Sequence, residues 1–155
     1  MNQVLEILLV EDNPQEAELT IRALKKRTVA SHFVHVSDGQ QALDFLFATG
    51  NYSERDPTEL PKVVLLDLKL PKLDGLDVLR RLRAEEHTKW LPIVVLTSSS
   101  QERDVIEAYQ LGANSYIVKP VDFESFLEVV SNMITYWLLL NELPRLKSST
   151  EYHER

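Results

Sequence analysis

A chain of 155 residues, 44% hydrophobic and 26% charged, has the size of one compact domain. A formal net charge of −7 argues against a nucleic-acid-binding module, which would carry a basic patch to neutralise phosphates. The absence of cysteine removes any disulfide framework or thiolate zinc site and suits a reducing cytoplasm, while the N-terminal apolar run is far shorter than the roughly 18 residues of a membrane helix.

The chain opens on LEILLVEDNP, residues 5–14. Ile7, Leu8, Leu9 and Val10 read as a buried central strand, yet the run ends in Glu11 and Asp12, two carboxylates that repel each other and resist desolvation. Something must compensate for them. Asn13, Pro14 and Glu16 then supply an N-cap, a first-turn proline and a capping-box acid for a helix over 14–27.

Further strand-type runs follow: FVHV, VVLLDL, IVVLTS and SYIVK. Helical patterns lie between and after them, at about 39–48, 75–86, 101–111 and 123–140. Ser99 and Glu102 suggest a second capping box, and Gly112 stands where a helix C-terminal glycine belongs. Near-continuous Val/Ile/Leu runs alternating with helices predict parallel strands covered on both faces, which is a doubly wound α/β fold. The stretch at 49–61, TGNYSERDPTELP, is a long polar insert expected to be a solvated surface loop.

In such a sheet, ligands bind beyond the carboxyl ends of the strands. Glu11 and Asp12 end the first strand, Asp67 the third, Thr97 the fourth, and Lys119 with Pro120 the fifth. Three carboxylates on one rim fit a hard divalent cation, Mg²⁺, and a lysine and a hydroxyl fit a phosphoryl group. Asp67 is the carboxylate best suited to accept one.

EDN at 11–13, Asp67 in VVLLDLKLPKLDG, Thr97 in IVVLTSSS, and Tyr116 with Lys119 and Pro120 in GANSYIVKP together resemble the receiver domain of two-component response regulators, over residues 4–140. The resemblance implies a flavodoxin-like five-stranded parallel sheet in the order 2-1-3-4-5. It implies Asp67 as phosphoacceptor, Mg²⁺ held by Glu11, Asp12, Asp67 and the Lys69 backbone carbonyl, and Lys119 on the phosphoryl group with a cis bond to Pro120. Thr97 and Tyr116 would form the switch pair, and Pro71 and Gly75 would shape the loop after the acceptor.

The insert at 49–61 and the extension at 133–155 are similar to those of small response regulators paired with cyanobacterial phytochrome histidine kinases. That likeness implies a sensor histidine kinase of phytochrome type as partner. With no DNA-binding helix pair after residue 140, the output expected is a protein contact or a changed oligomer.

Phe123, Phe126, Leu127, Val130, Ile134, Trp137 and Leu138 share one helical stripe, whereas Tyr136, Leu139 and Leu140 lie outside it. This surplus suggests a homodimer through the fourth helix, fifth strand and fifth helix. Two other readings compete. An aspartate-nucleophile phosphatase would need a second acid at position 69, where Lys69 stands; a pseudo-receiver would bind partners without phosphorylation. A nucleotide site lacks its glycines, since EDNPQE follows the first strand. His32, His35, His87 and His153 show no metal-site spacing and read as structural.

Overall fold

A computed structural model describes residues 5–27 and 32–144. Five strands, β1 (Ile7–Val10), β2 (Phe33–Val36), β3 (Val63–Leu66), β4 (Ile93–Thr97) and β5 (Ser115–Val118), alternate with helices α1 (Pro14–Arg27), α2 (Gly39–Phe47), α3 (Gly75–Ala84), α4 (Glu102–Gln110) and α5 (Phe123–Ile134). The sheet is wholly parallel in the order β2-β1-β3-β4-β5, as the resemblance implied.

Because side chains alternate across a strand, each central strand feeds two cores. Leu8, Val10, Val64, Leu66, Ile93 and Val95 pack with Leu43, Leu46, Val78, Leu79 and Leu82 on one face. Ile7, Leu9, Val63, Leu65, Val94 and Leu96 pack with Leu24, Phe126, Leu127 and Val130 on the other. These double-sided cores explain why the strand runs are continuous rather than alternating.

The register brings the chemistry together. Val10 is level with Leu66, so the next residues, Glu11 and Asp67, emerge side by side. Thr97 is level with Val118, and the Lys119 N–H donates to the Thr97 carbonyl at 2.8 Å.

Some local expectations needed correction. Asn13 caps α1, accepting from the N–H groups of Gln15 and Glu16 at 2.9 and 3.0 Å. Gly112 follows α4 with φ 103°. The second capping box does not form: the residue before α4 is Gln101, without a side-chain cap, because the Ser99 hydroxyl is drawn to Asp104. No cis peptide bond occurs among the described residues, so Lys119–Pro120 is trans, contrary to the resemblance; the Lys119 amine reaches the acidic site from that bond.

The insert lies at the surface and is exposed over most of its length, as expected of a solvated loop, and it carries local structure. A 3-10 turn at Gly50–Tyr52 sets the Tyr52 ring edge-on to Phe45 at 5.2 Å between centroids. The Arg55 guanidinium lies 3.8 Å over the Phe45 ring and donates to the carbonyls of Phe45 and Glu59. The last helix also differs from the uniform stripe: after Ile134 it continues as a π-helical turn, Thr135–Leu140. Leu138 is buried there and Trp137 half-buried, while Tyr136, Leu139 and Leu140 remain exposed. No helix among the described residues is long and apolar enough to cross a membrane.

Candidate functional site

Five loops meet at the carboxyl edge of the sheet. Glu11, Asp12 and Asp67 converge there, each offering an oxygen within 4.8 Å of the others. Glu11 and Asp67 are buried, 2% and 7% exposed, and Asp12 is open to solvent. A buried pair of acids beside an exposed one is a donor set that suits a hard cation retaining several waters. Lys69 and Pro71 line the open cleft next to Asp12, together with Asp74 and Gln101.

The compensation demanded by the sequence is visible. Lys119 places its amine on Glu11, with Asp67 Oδ2 and Glu16 Oε2 each 3.4 Å away. Burial pushes the Glu11 carboxyl up to about 7; the Lys119 hydrogen bond opposes this and the Asp67 charge adds to it. For Lys119, burial would lower the pKa, yet its three carboxylate partners outweigh burial and hold the amine above its ordinary value. The lysine is therefore a firm cation facing an acid that sheds its proton only near neutrality.

Asp67 is oriented by its own loop. Its Oδ1 accepts the Leu68 N–H at 2.7 Å, leaving Oδ2 directed to Lys119. The chain then turns through Lys72, which has φ 66°, and Lys72 pairs with the buried Asp38 at 3.5 Å. Gly75 closes the loop: its N–H donates to the Leu68 carbonyl at 2.8 Å. A Cβ on Gly75 would lie 2.3 Å from the Asp67 carbonyl oxygen, so a close backbone approach requires the glycine.

Thr97 is fully buried at the end of β4, and its Oγ1 accepts the Ser99 N–H at 3.4 Å. The Tyr116 hydroxyl donates to the Ser99 carbonyl at 2.9 Å, which turns the ring toward the β4–α4 loop. Burial pushes the Tyr116 phenol up, and the carboxylates of Asp104 and Asp67 add to that, against the bond to Ser99. Pro120 lies beside Lys119 in a groove with Glu16, Leu19 and Val121.

Glu11, Asp12, Asp67, Thr97 and Lys119 thus meet at one edge, whereas Tyr116, level with Val95 within β5, reaches the loop there through the Ser99 carbonyl. Sequence reasoning missed several that support them. Glu16 was assigned to capping, but the first capping box does not close: the Asn13 N–H donates to Glu11 at 3.2 Å, and the Glu16 carboxylate faces Lys119. His35, read as structural, directs Nε2 to the Glu11 carbonyl at 2.9 Å and so braces the first acid from β2. That contact has no local signature, because it depends on the pairing of β1 with β2.

Comparisons with known proteins agree with this geometry. Residues 7–131 match the response regulator receiver domain. The chain is 40% identical over 138 residues to the probable methanogenesis regulatory protein FilR2 of Methanothrix harundinacea, covering 89% of this chain and 86% of that protein. It is 38% identical over 138 residues to the response regulator Rcp1 of Synechocystis, covering 89% and 92%, and that protein has been crystallised in a Mn²⁺-bound form. The crystal structure of the phosphorylated cyanobacterial phytochrome response regulator RcpA superposes with a TM-score of 0.82 at 36% identity, covering 90% of this chain and 97% of that one. The acidic edge is thus the centre of a response regulator receiver domain, the family to which this chain belongs.

Proposed function

We propose that the chain is a phosphorylation switch in which Asp67 takes a phosphoryl group from the phosphohistidine of a sensor histidine kinase. The observation that carries this reading is the convergence of Asp67 Oδ2, the Lys119 amine and the carboxylates of Glu11 and Asp12 on one partly open edge.

In the transfer, Asp67 Oδ2 forms the new O–P bond as the N–P bond to the donor imidazole breaks, and that nitrogen takes up a proton from solvent. Leu68 N–H fixes the other carboxylate oxygen, which selects the attacking one. Lys119 stabilises charge on the transferring phosphoryl oxygens and holds no proton in play. Glu11, Asp12, Asp67 and the Lys69 carbonyl would hold Mg²⁺, which when bound neutralises the acids and draws charge from the phosphoryl oxygens. Dephosphorylation by water is slow and self-catalysed.

The Thr97 hydroxyl then turns to the phosphoryl group, and Tyr116 follows, changing the β4–α4 surface. Likeness to the cyanobacterial phytochrome response regulator RcpA supports a kinase of phytochrome type, and the reading includes a cytoplasmic setting. Ile106 and Tyr109 on α4, Val118 on β5, and Tyr136, Leu139 and Leu140 on the turn that extends α5 are exposed apolar residues, and they support a homodimer through α4, β5 and α5.

Intact-protein mass after incubation with acetyl phosphate, with and without Mg²⁺, tests the reading. One Mg²⁺-dependent phosphate adduct is expected, absent from Asp67→Asn. Equal labelling of Asp67→Asn would refute the acceptor, and failure to label with the cognate kinase as donor would favour a pseudo-receiver.

A further inference from the structure

The β4–α4 connection contains a polar cluster that phosphoryl transfer does not use. Ser99 is buried, 8% exposed, and its polar atoms are all engaged. Its hydroxyl donates to Asp104 Oδ2 at 2.5 Å and accepts the Gln101 N–H at 3.4 Å. Its own N–H donates to Thr97 Oγ1 at 3.4 Å, and its carbonyl accepts the Tyr116 hydroxyl at 2.9 Å. One residue therefore joins the first turn of α4 to both members of the switch pair.

The contacts differ in strength. A hydroxyl-to-carboxylate bond at 2.5 Å is charge-assisted and short, whereas the two at 3.4 Å are weak. Position 104 is held in turn by α4, and Gln101, the residue before that helix, provides no side-chain cap. The strong link to a helix thus fixes where the Ser99 carbonyl lies, and that carbonyl is the acceptor for Tyr116.

We propose that Ser99 and Asp104 form a latch that positions the β4–α4 loop, holding the Tyr116 hydroxyl on the Ser99 carbonyl and the Thr97 hydroxyl on the Ser99 N–H before phosphorylation. The proposal rests on the reading of Thr97 and Tyr116 as the switch. Ser99 is a positioning residue, acting through the two side chains it holds. Removing the latch shifts the Tyr116 equilibrium away from that bonded pose by about tenfold or more, the effect of one net hydrogen bond to a charged group.

Fluorine NMR of the full, unphosphorylated chain carrying 3-fluorotyrosine reads that equilibrium, with the Tyr116 line assigned from Tyr116→Phe. Ser99→Ala and Asp104→Ala are expected to shift or broaden the line alike. The double variant should move it no further, and Ser99→Thr should restore it. A wild-type line in Asp104→Ala would overturn the latch, as would additive shifts in the double variant. Since no phosphate is involved, a responsive Tyr116 line supports the latch even if Asp67 proves not to be the acceptor.

Discussion

Gly75→Ala places one methyl group against the acceptor strand. Its Cβ would sit 2.3 Å from the Asp67 carbonyl oxygen, 2.7 Å from Leu68 Cα and 3.1 Å from the Asp67 carbonyl carbon, where 3.4 Å begins ordinary contact. The backbones must therefore part by about 1.1 Å, the difference between 3.4 and 2.3 Å. Neither side is a flexible side-chain tip, so the Gly75 N–H bond to the Leu68 carbonyl lengthens or breaks. Overpacking of this kind costs about 1–3 kcal/mol and the lost hydrogen bond about 1 more, a total of about 2–4 kcal/mol. For a domain of this size that lowers Tm by roughly 5–15 °C, read by calorimetry beside urea unfolding. The same displacement carries the Leu68 N–H away from Asp67 Oδ1, so acetyl phosphate labelling should slow as well. A Tm within a degree of wild type with an unchanged labelling rate would refute the argument that this glycine is required by close approach.

Lys119→Met leaves Glu11 and Asp67 without their cation; stability should fall by about 2–4 kcal/mol at pH 8 and much less at pH 5, where Glu11 is protonated in both proteins. A loss independent of pH in urea titrations would count against the charge explanation. Mg²⁺ affinity should rise from pH 5 to 8 and level off, since a proton competes for Glu11, whose carboxyl is pushed up to about 7 by burial; calorimetric titration giving a flat profile would contradict this. Asp12→Ala should weaken Mg²⁺ binding sharply without lowering Tm, because this carboxylate is exposed; unchanged affinity would exclude it as a ligand. Light scattering from micromolar to near-millimolar protein tests the dimer, and a monomeric mass throughout would remove it.

The fold was legible because its strands are buried on both faces: VVLL and IVVLT have no polar alternation to confuse them with exposed strands. The acidic edge was legible because charge at the end of an apolar run is costly enough to need a reason. Contacts set by tertiary packing were not. Arg55 over Phe45 orders an insert whose composition reads as solvated loop, and the two residues lie in separate segments. Ser99 looked like a cap, and only the position of the first turn of α4 shows that its hydroxyl is drawn to Asp104 instead. The π-helical turn at Thr135–Leu140 likewise has no signature in an apolar stripe of 3.6 period.

Lys119 has a role in this structure that needs no phosphoryl group. With its amine already lodged among Glu11, Glu16 and Asp67, the chain carries an internal counter-ion where a metal would otherwise be indispensable. If Glu11, Asp12 and Asp67 hold a divalent cation as proposed, that cation would compete with the amine for Glu11, and Lys119 would be free to reach whatever Asp67 accepts. On the proposed function, folding and readiness would thereby be separated: Lys119 would keep the acidic edge intact without a metal, and the ion would be needed only for transfer.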